Sequence, residues 1–407
     1  MICSTGGGES EPGMPQIFKQ HLEGLKGKGL YRSLRVIQGE QGPWVELEGK
    51  RVLNLSSNNY LGMASHPRLK KASARATQRY GCGSGASRLI CGTLELHETL
   101  EKRLAKFVKT EAALVFNSGY AANVGIISSV VGKEDVVFSD EFNHASIVDG
   151  CRLSRADVVI FPHNNMNALE EKISSSFRQD PDRRRLIVVD GVFSVDGDLA
   201  PLPELVRLAD TYDALLMVDE AHGTGTVGPG GRGALAHFGV EGKTHIIMGT
   251  LGKALGGFGA FAAGSRELID YLINTSRSLI FSTALPPSVI SSALAALYVL
   301  EETPSLVEKV QENAGYMRES LKTLGYDVLS SHTPILPVMI GEAALSTEFS
   351  ELLLKEGVLA VALRPPTVPE GTARIRVTVM ASHTREDLAF SVDVFEKVGR
   401  RLGIING

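Results

Sequence analysis

ALLMVDEAHGTGTVG at residues 214–228, followed by HIIMGTLGKALGG at 245–257, decides the architecture of this chain. Each segment opens as an unbroken apolar run and breaks into polar residues and glycines. A strand covered on both faces reads as such a run rather than as an alternation, so both segments predict buried parallel strands. The pattern repeats outward: ALVFNSG at 113–119, DVVF at 135–138, DVVIF at 157–161, LIVVD at 186–190 and GAFAAG at 259–264. Helical or glycine-rich stretches separate the runs. In one of them, HETLEKRLAKFVKT at 97–110, Leu100, Leu104 and Phe107 share a helical face with the preceding Leu96. Apolar runs joined by helical crossovers spell an α/β fold with a large, mostly parallel sheet.

At 407 residues the chain exceeds what one hydrophobic core usually serves, so a second, smaller α+β domain is expected. The division falls into an N-terminal arm and part of the small domain at 1–55, a large α/β domain at 56–287 and the rest of the small domain at 288–407. Residues 36–55 carry short hairpin-like strands, with Trp44 expected as a packing residue. With 43% hydrophobic and 22% charged residues and a formal charge of −4, nothing favours nucleic acid or an anionic membrane as partner. The four cysteines, Cys3, Cys82, Cys91 and Cys151, have irregular spacing and no Cys-x-x-Cys, so neither a disulfide framework nor a metal site is expected. The opening MICSTGGGESEPG lacks the basic and apolar regions of a signal peptide and reads as a disordered start. No apolar run approaches the roughly 20 residues of a membrane helix, so a cytoplasmic protein is expected.

Two motif matches fail on context. DEAH at 219–222 spells a helicase box, but no G-x-x-x-x-G-K-[ST] loop precedes it to hold phosphates. GTGTVG at 223–228 matches G-x-G-x-x-G, yet a dinucleotide fingerprint should follow the first strand directly rather than sit in mid-chain.

A third constellation survives. Asp219 ends a buried run, where an unpaired carboxylate is costly. Lys253 and Thr250 leave the next run together, and His222 follows Asp219 by three residues. This is the residue set of a pyridoxal phosphate site: the lysine amine condenses with the cofactor aldehyde, and the carboxylate keeps the pyridine nitrogen protonated so that the ring withdraws electrons. Gly119 and Tyr120 follow a strand and open a helix, where backbone amides suit a phosphate. His144, in FNHAS, could stack on the ring, and Ser194, in DGVFSVDGD, could donate to its phenolic oxygen. Taken singly these are turn, cap or surface residues. Their joint placement at the ends of predicted strands, where open α/β sheets build sites, is what selects them.

LSSNNYLGMASHP at 55–67, GSGASRLICGTLELHETLE at 83–101, FNHASIVDGCRLSRA, DGVFSVDGDLAPLPEL, VDEAHGTGTVG, GTLGKALGG, FSTALPP and RPPTVPEGTARIRVT follow one another in the chain. Over residues 30–402 the chain resembles the α-oxoamine synthase family of fold-type I pyridoxal phosphate-dependent transferases. The resemblance implies Lys253 as the cofactor-bearing lysine, Asp219 as the pyridinium partner and His144 as the stacking residue. Ser194 and His222 become the phenolate neighbours, and Gly119, Tyr120 and Thr250 serve the phosphate. It implies a homodimer with shared active sites, in which Thr283 reaches the partner's phosphate. Asn58 and Arg376 match positions that hold the amino-acid carboxylate, Thr367 a substrate-contacting position, and Tyr31 or Arg32 an N-terminal substrate position.

The reaction so implied is a decarboxylative condensation. The Lys253 amine removes the amino acid's α-proton, the α-carbon attacks an acyl thioester and expels the thiol, and carbon dioxide leaves. Within the resemblance, RPPTVP at 364–369 is similar to the version carried by members that use L-alanine with a pimeloyl thioester, which is therefore the expected pair. Glycine with an acetyl thioester and serine with a palmitoyl thioester are the alternatives.

Overall fold

A computed structural model describes residues 16–27 and 30–405; Cys3 and the glycine-rich start lie outside the described residues. Near the N-terminus, β1 (Ile37–Gln38), β2 (Trp44–Leu47) and β3 (Lys50–Asn54) form an antiparallel meander. Seven strands then build the central sheet: β4 (Ala112–Phe116), β5 (Val136–Asp140), β6 (Asp157–Phe161), β7 (Arg185–Asp190), β8 (Ala214–Asp219), β9 (Ile246–Thr250) and β10 (Ala260–Gly264). Their spatial order is β4-β10-β9-β8-β7-β5-β6, with β5 to β9 parallel and β10 antiparallel to both neighbours.

The unbroken apolar runs are explained by what covers the sheet. Val136, Phe138, Ile187, Val189, Leu216 and Val218 join the core on one face. Val137, Leu186, Val188 and Met217 join a second core on the other. Successive side chains of a strand point to opposite faces, so both must be apolar when helices cover both. Phe138 is fully buried. Truncating it to alanine would cost about 3–5 kcal/mol.

Helices start where side chains can cap them: Ser118, Asn165 and Ser265 accept from backbone amides three residues on. The helix expected at 97–110 runs Glu95–Val108. It ends early because Lys109 turns left-handed at φ 57°, which the side-chain pattern does not announce.

The remaining strands are β11 (Ile335–Gly341), β12 (Val358–Leu359), β13 (Val361–Leu363) and β14 (Ala373–Thr378). β11-β14-β13 form an antiparallel sheet, while β12 pairs in parallel with β3. The early meander and the late segment thus share one sheet. Trp44 packs against Phe390 and donates to Asp387 at 2.7 Å, as a packing residue should. Among the described residues no helix is long and apolar enough to cross a membrane, and no cluster of potential metal ligands occurs. Cys82, Cys91 and Cys151 are free thiols.

Candidate active site

Register brings the chemistry together. Asp190 of β7 lies opposite Asp219 of β8, and Asp219 opposite Met248 of β9. The parallel strands therefore deliver Asp190, Asp219 and Thr250 to one edge, with Lys253 three residues beyond Thr250. Because β10 runs backwards, Ala260 pairs with both Thr250 and Phe116. The helix that starts three residues after Phe116 is drawn to Thr250 in consequence. The approach is close: a Cβ on Gly119 would stand 3.1 Å from the Thr250 methyl. Ser118 caps the helix by accepting from Ala121 N at 3.1 Å. Among the described residues the Gly119 and Tyr120 amides have no protein acceptor, as expected of the first turn of a helix. The Tyr120 side chain points elsewhere, its hydroxyl donating to Asp149 at 2.7 Å.

Asp219 is almost fully buried. One carboxylate oxygen accepts from Asn123 Nδ2 at 2.8 Å and the other from Ala221 N at 2.8 Å. Among the described residues no cation forms an ion pair with it. A buried anion held by neutral donors, with amides free at a helix start nearby, fits a cationic ring nitrogen at one end and a phosphate at the other. Asn123 also donates to Ser146 Oγ at 2.8 Å, and Ser146 in turn meets His144 Nδ1 at 2.7 Å. The His144 ring is thereby tied to the Asp219 carboxylate on its inner edge, which is packed away from solvent, while its outer part stays exposed to the cleft.

Asp190 holds the same region from below. Its carboxylate accepts from His144 N at 2.8 Å, and its own amide donates to Asn143 at 3.0 Å. Burial, with Asp219 adding to it, raises the Asp190 pKa well above the usual carboxylate range.

Burial brings the Lys253 amine down to about 8; Asp219 and Asp190 oppose the shift and Arg376 adds to it. Such an amine is neutral for roughly a tenth of molecules at pH 7, ~300-fold more than an ordinary lysine. Burial also lowers the pKa of His144 and takes that of His222 well below the ordinary imidazole value, with Lys253 contributing to both. His222 Nδ1 bonds the Tyr60 hydroxyl at 2.8 Å.

The small sheet closes the site from the other side. Arg374 and Arg376, two apart on β14, share a face. Arg374 pairs with Asp196, and Arg376 Nε donates to Ser194 O at 2.6 Å. Both terminal nitrogens of Arg376 lie 3.2 Å from Asn58 Oδ1, and one lies 3.3 Å from the Tyr60 hydroxyl. Asn58 and Tyr60 are held there because the 55–60 segment is strung between sheets: Leu55 N donates to Leu359 O, and Thr378 N to Leu55 O. Burial raises the pKa of Tyr60, which stays a neutral phenol under Arg376.

Of the expected residues, Lys253, Asp219, His144, His222, Thr250, Gly119, Asn58 and Arg376 converge on this cleft. Ser194 meets Arg376 through its carbonyl, and among the described residues its hydroxyl forms no hydrogen bond. Thr283 is exposed; its carbonyl accepts from Asn117 at 2.7 Å. Arg32 and Thr367 stand apart, together lining a cavity of about 580 Å³ with Tyr31 and Arg364. Tyr60, Asn123, Ser146 and Asp190 were not anticipated. Asn123 and Asp190 carried a signal: one is an amide side chain in a largely apolar helix, and the other ends LIVVD as Asp219 ends LLMVD. The glycines of GTGTVG serve packing, since a Cβ on Gly223 would collide with the Glu220 carboxylate. Glu220 itself points away from the cleft to accept from Ala234 N and Leu235 N.

The aminotransferase class I and II family model matches residues 50–395. The chain is 54% identical to 8-amino-7-oxononanoate synthase of Geobacter sulfurreducens over 394 residues, covering 96% of this chain and 100% of that protein. It is 52% identical to the protein of the same name from Citrifermentans bemidjiense over 392 residues, with the same two coverages. Among solved structures, Sphingomonas wittichii serine palmitoyltransferase matches with a TM-score of 0.90 at 31% identity, covering 96% of this chain and 98% of that one. An 8-amino-7-oxononanoate synthase from Francisella tularensis matches with a TM-score of 0.73 at 28% identity, covering 86% and 98%.

Proposed function

Since the chain belongs to the aminotransferase class I and II family, and within it to the α-oxoamine synthases, we propose that it joins L-alanine to a pimeloyl thioester to make 8-amino-7-oxononanoate, a biotin precursor. The observation that carries this reading is identity above 50%, over 96% of the chain, to proteins bearing that name. The serine palmitoyltransferase structures share the fold more closely than the Francisella structure does, but at only 31–32% identity. Fold similarity does not set the substrate.

Pyridoxal phosphate, when bound, supplies the electron sink that makes the amino acid's α-carbon nucleophilic. Lys253 Nζ, its pKa lowered to about 8, would take the α-proton in its neutral form and return one after carbon dioxide has left. Asp219 holds a proton on the ring nitrogen, and Asn123 and Ala221 N keep its carboxylate oriented. Gly119, Tyr120 and Thr250 would hold the phosphate, His144 would serve the ring, and Ser194 and His222 would serve its phenolic oxygen. Arg376 and Asn58 grip the alanine carboxylate; the guanidinium offers the two-pronged contact such a group needs. Arg32 and Thr367 face the acyl thioester from their cavity.

The enzyme works as a homodimer in this reading, Thr283 reaching the partner's phosphate site. Ile90 and Phe281, 78% and 71% exposed, flank the Ser87–Thr283 bridge and offer the apolar surface a second copy would cover. The division at 55/56 and 287/288 remains our proposed domain partition, supported by the β3–β12 pairing.

Titrating the visible absorbance of the cofactor-loaded protein with L-alanine, glycine and serine, followed by turnover with pimeloyl-CoA, tests the assignment. Response to alanine with turnover on pimeloyl-CoA is expected. Turnover only with glycine and acetyl-CoA, or with serine and palmitoyl-CoA, would overturn the choice of substrates.

A further inference from the structure

His163 lies outside the cleft and has two carboxylate partners. Its Nδ1 is 2.9 Å from Asp140 Oδ1 and its Nε2 2.8 Å from Asp198 Oδ2. Both contacts need a donating N–H, which a neutral imidazole can supply only once, so the ring carries both protons. Burial alone would lower its pKa. The bonds to Asp140 and Asp198, with their charges, outweigh that effect and push it up to about 10. Glu141 also faces it, accepting from the His163 backbone amide at 2.8 Å. The ring stacks on Phe142 at 4.5 Å between centroids and meets Phe193 edge-on at 4.4 Å.

The partners belong to the two segments that carry active-site residues. Asp140 ends β5 and accepts from Phe142 N at 2.9 Å, setting the turn that delivers His144. Asp198 closes the loop holding Ser194 and Asp196: Phe193 N donates to Asp198 O, and Gly197 N to Phe193 O. Asn164 reinforces the tie, its amide donating to Asp140 Oδ2 and its side chain to Asp198 Oδ2, both at 2.9 Å.

We propose that His163, donating at once to Asp140 and Asp198, is a positioning residue that fixes the His144 turn relative to the Ser194 loop and so sets how both meet the cofactor ring. The inference rests on the functional reading above for its kinetic consequence, and on the geometry alone for the clamp. Cutting the tie lets two well-formed segments move independently without removing any group that touches substrate or cofactor.

The test is His163→Gln, which replaces two charged ring donors on opposite sides by one uncharged amide nitrogen, alongside Asp198→Ala, which removes only the outer anchor of a half-buried residue. Both are loaded with pyridoxal phosphate. In H163Q the visible circular dichroism band of the bound cofactor should fall at least twofold at unchanged cofactor stoichiometry. In that variant kcat should fall at least tenfold while KM for alanine stays within twofold. D198A should show the same split at about a third of the size, with faster amide exchange confined to 193–197. A lowered Tm with the band and kcat within twofold of wild type in both variants would overturn the proposal and leave His163 a packing residue. If H163Q does not fold, D198A alone decides: kcat about threefold down at unchanged alanine KM with faster exchange at 193–197 supports the clamp, and wild-type kcat and exchange overturn it. If wild type fails to turn over alanine with pimeloyl-CoA, the functional reading falls, and the dichroism band still decides the clamp.

Discussion

At the carboxyl edge of the central sheet, Asp219 and Thr250 sit on strands buried on both faces, and Lys253 lies one turn beyond. Their positions follow from the register of five parallel strands and tolerate little displacement. Across the cleft, Arg32 and Thr367 lie on irregular backbone at the rim of an open cavity, held by contacts such as Arg364 Nη2 to Tyr31 O at 3.4 Å. The first region is preorganised by a packed core, whereas the second can be rebuilt by changing a loop. A family can keep its cofactor chemistry on the one and vary its acyl substrate on the other. Arg376 stands between them: it belongs to a regular strand of the small sheet but reaches Ser194 and Asn58 in the cleft.

Disrupting the sheet edge should therefore be severe and disrupting the rim mild. Lys253→Ala should reduce kcat by on the order of 10⁴-fold or more. Steady-state turnover within tenfold of wild type would erase the contrast. Arg376→Lys keeps the charge but loses the planar fork, and should raise KM for alanine roughly 10- to 100-fold, the equivalent of about 1.5–3 kcal/mol. An unchanged KM would place the carboxylate elsewhere.

The next effect is a pH dependence. The nucleophile is the neutral amine, and Lys253 has its pKa lowered to about 8. The rate at which the cofactor-free protein takes up pyridoxal phosphate should rise roughly tenfold from pH 7 to a plateau at about pH 9. A rise continuing to pH 10 would mean that the amine is not desolvated. The same shift destabilises the cofactor-free fold below pH 8, where a proton must be held on a buried amine, and that penalty is relieved as pH climbs toward the unfolded value of 10.5. The smallest effect belongs to the rim. Thr367→Val should raise KM for the acyl thioester about 2- to 10-fold and leave alanine KM unchanged; an equal effect on both would join the two regions into one site.

Legibility followed the same divide. The strands of the central sheet were readable because burial on both faces demands apolar residues at every position, a local signal. Asp219 and Lys253 were readable because a charge at the end of such a run is conspicuous. Tyr60, Ser146 and Asn143 gave no comparable signal, since their importance arises only when residues 162, 23 and 47 positions away come within hydrogen-bond reach. More exactly, Tyr60 gains its role from His222, Ser146 from Asn123 and His144 together, and Asn143 from Asp190. The early end of the helix at Val108 was hidden for a different reason, lying in a backbone angle at Lys109 rather than in side-chain pattern.

Taken alone, the order of residues determined the α/β architecture and the family to which the chain belongs, and it singled out Lys253 and Asp219 as the lysine and acid we propose to hold the cofactor. Each of these rests on local pattern: apolar runs, the residues that end them, and blocks of motif in series. Only the tertiary structure decided that Ala260 pairs with both Phe116 and Thr250 to bring Gly119 against Thr250, that Arg376 crosses from one sheet to the other's loop, and that His163 bonds both Asp140 and Asp198. Those contacts join residues far apart in the chain. No local pattern encodes them, because they are set by strand register and by how two sheets pack against each other.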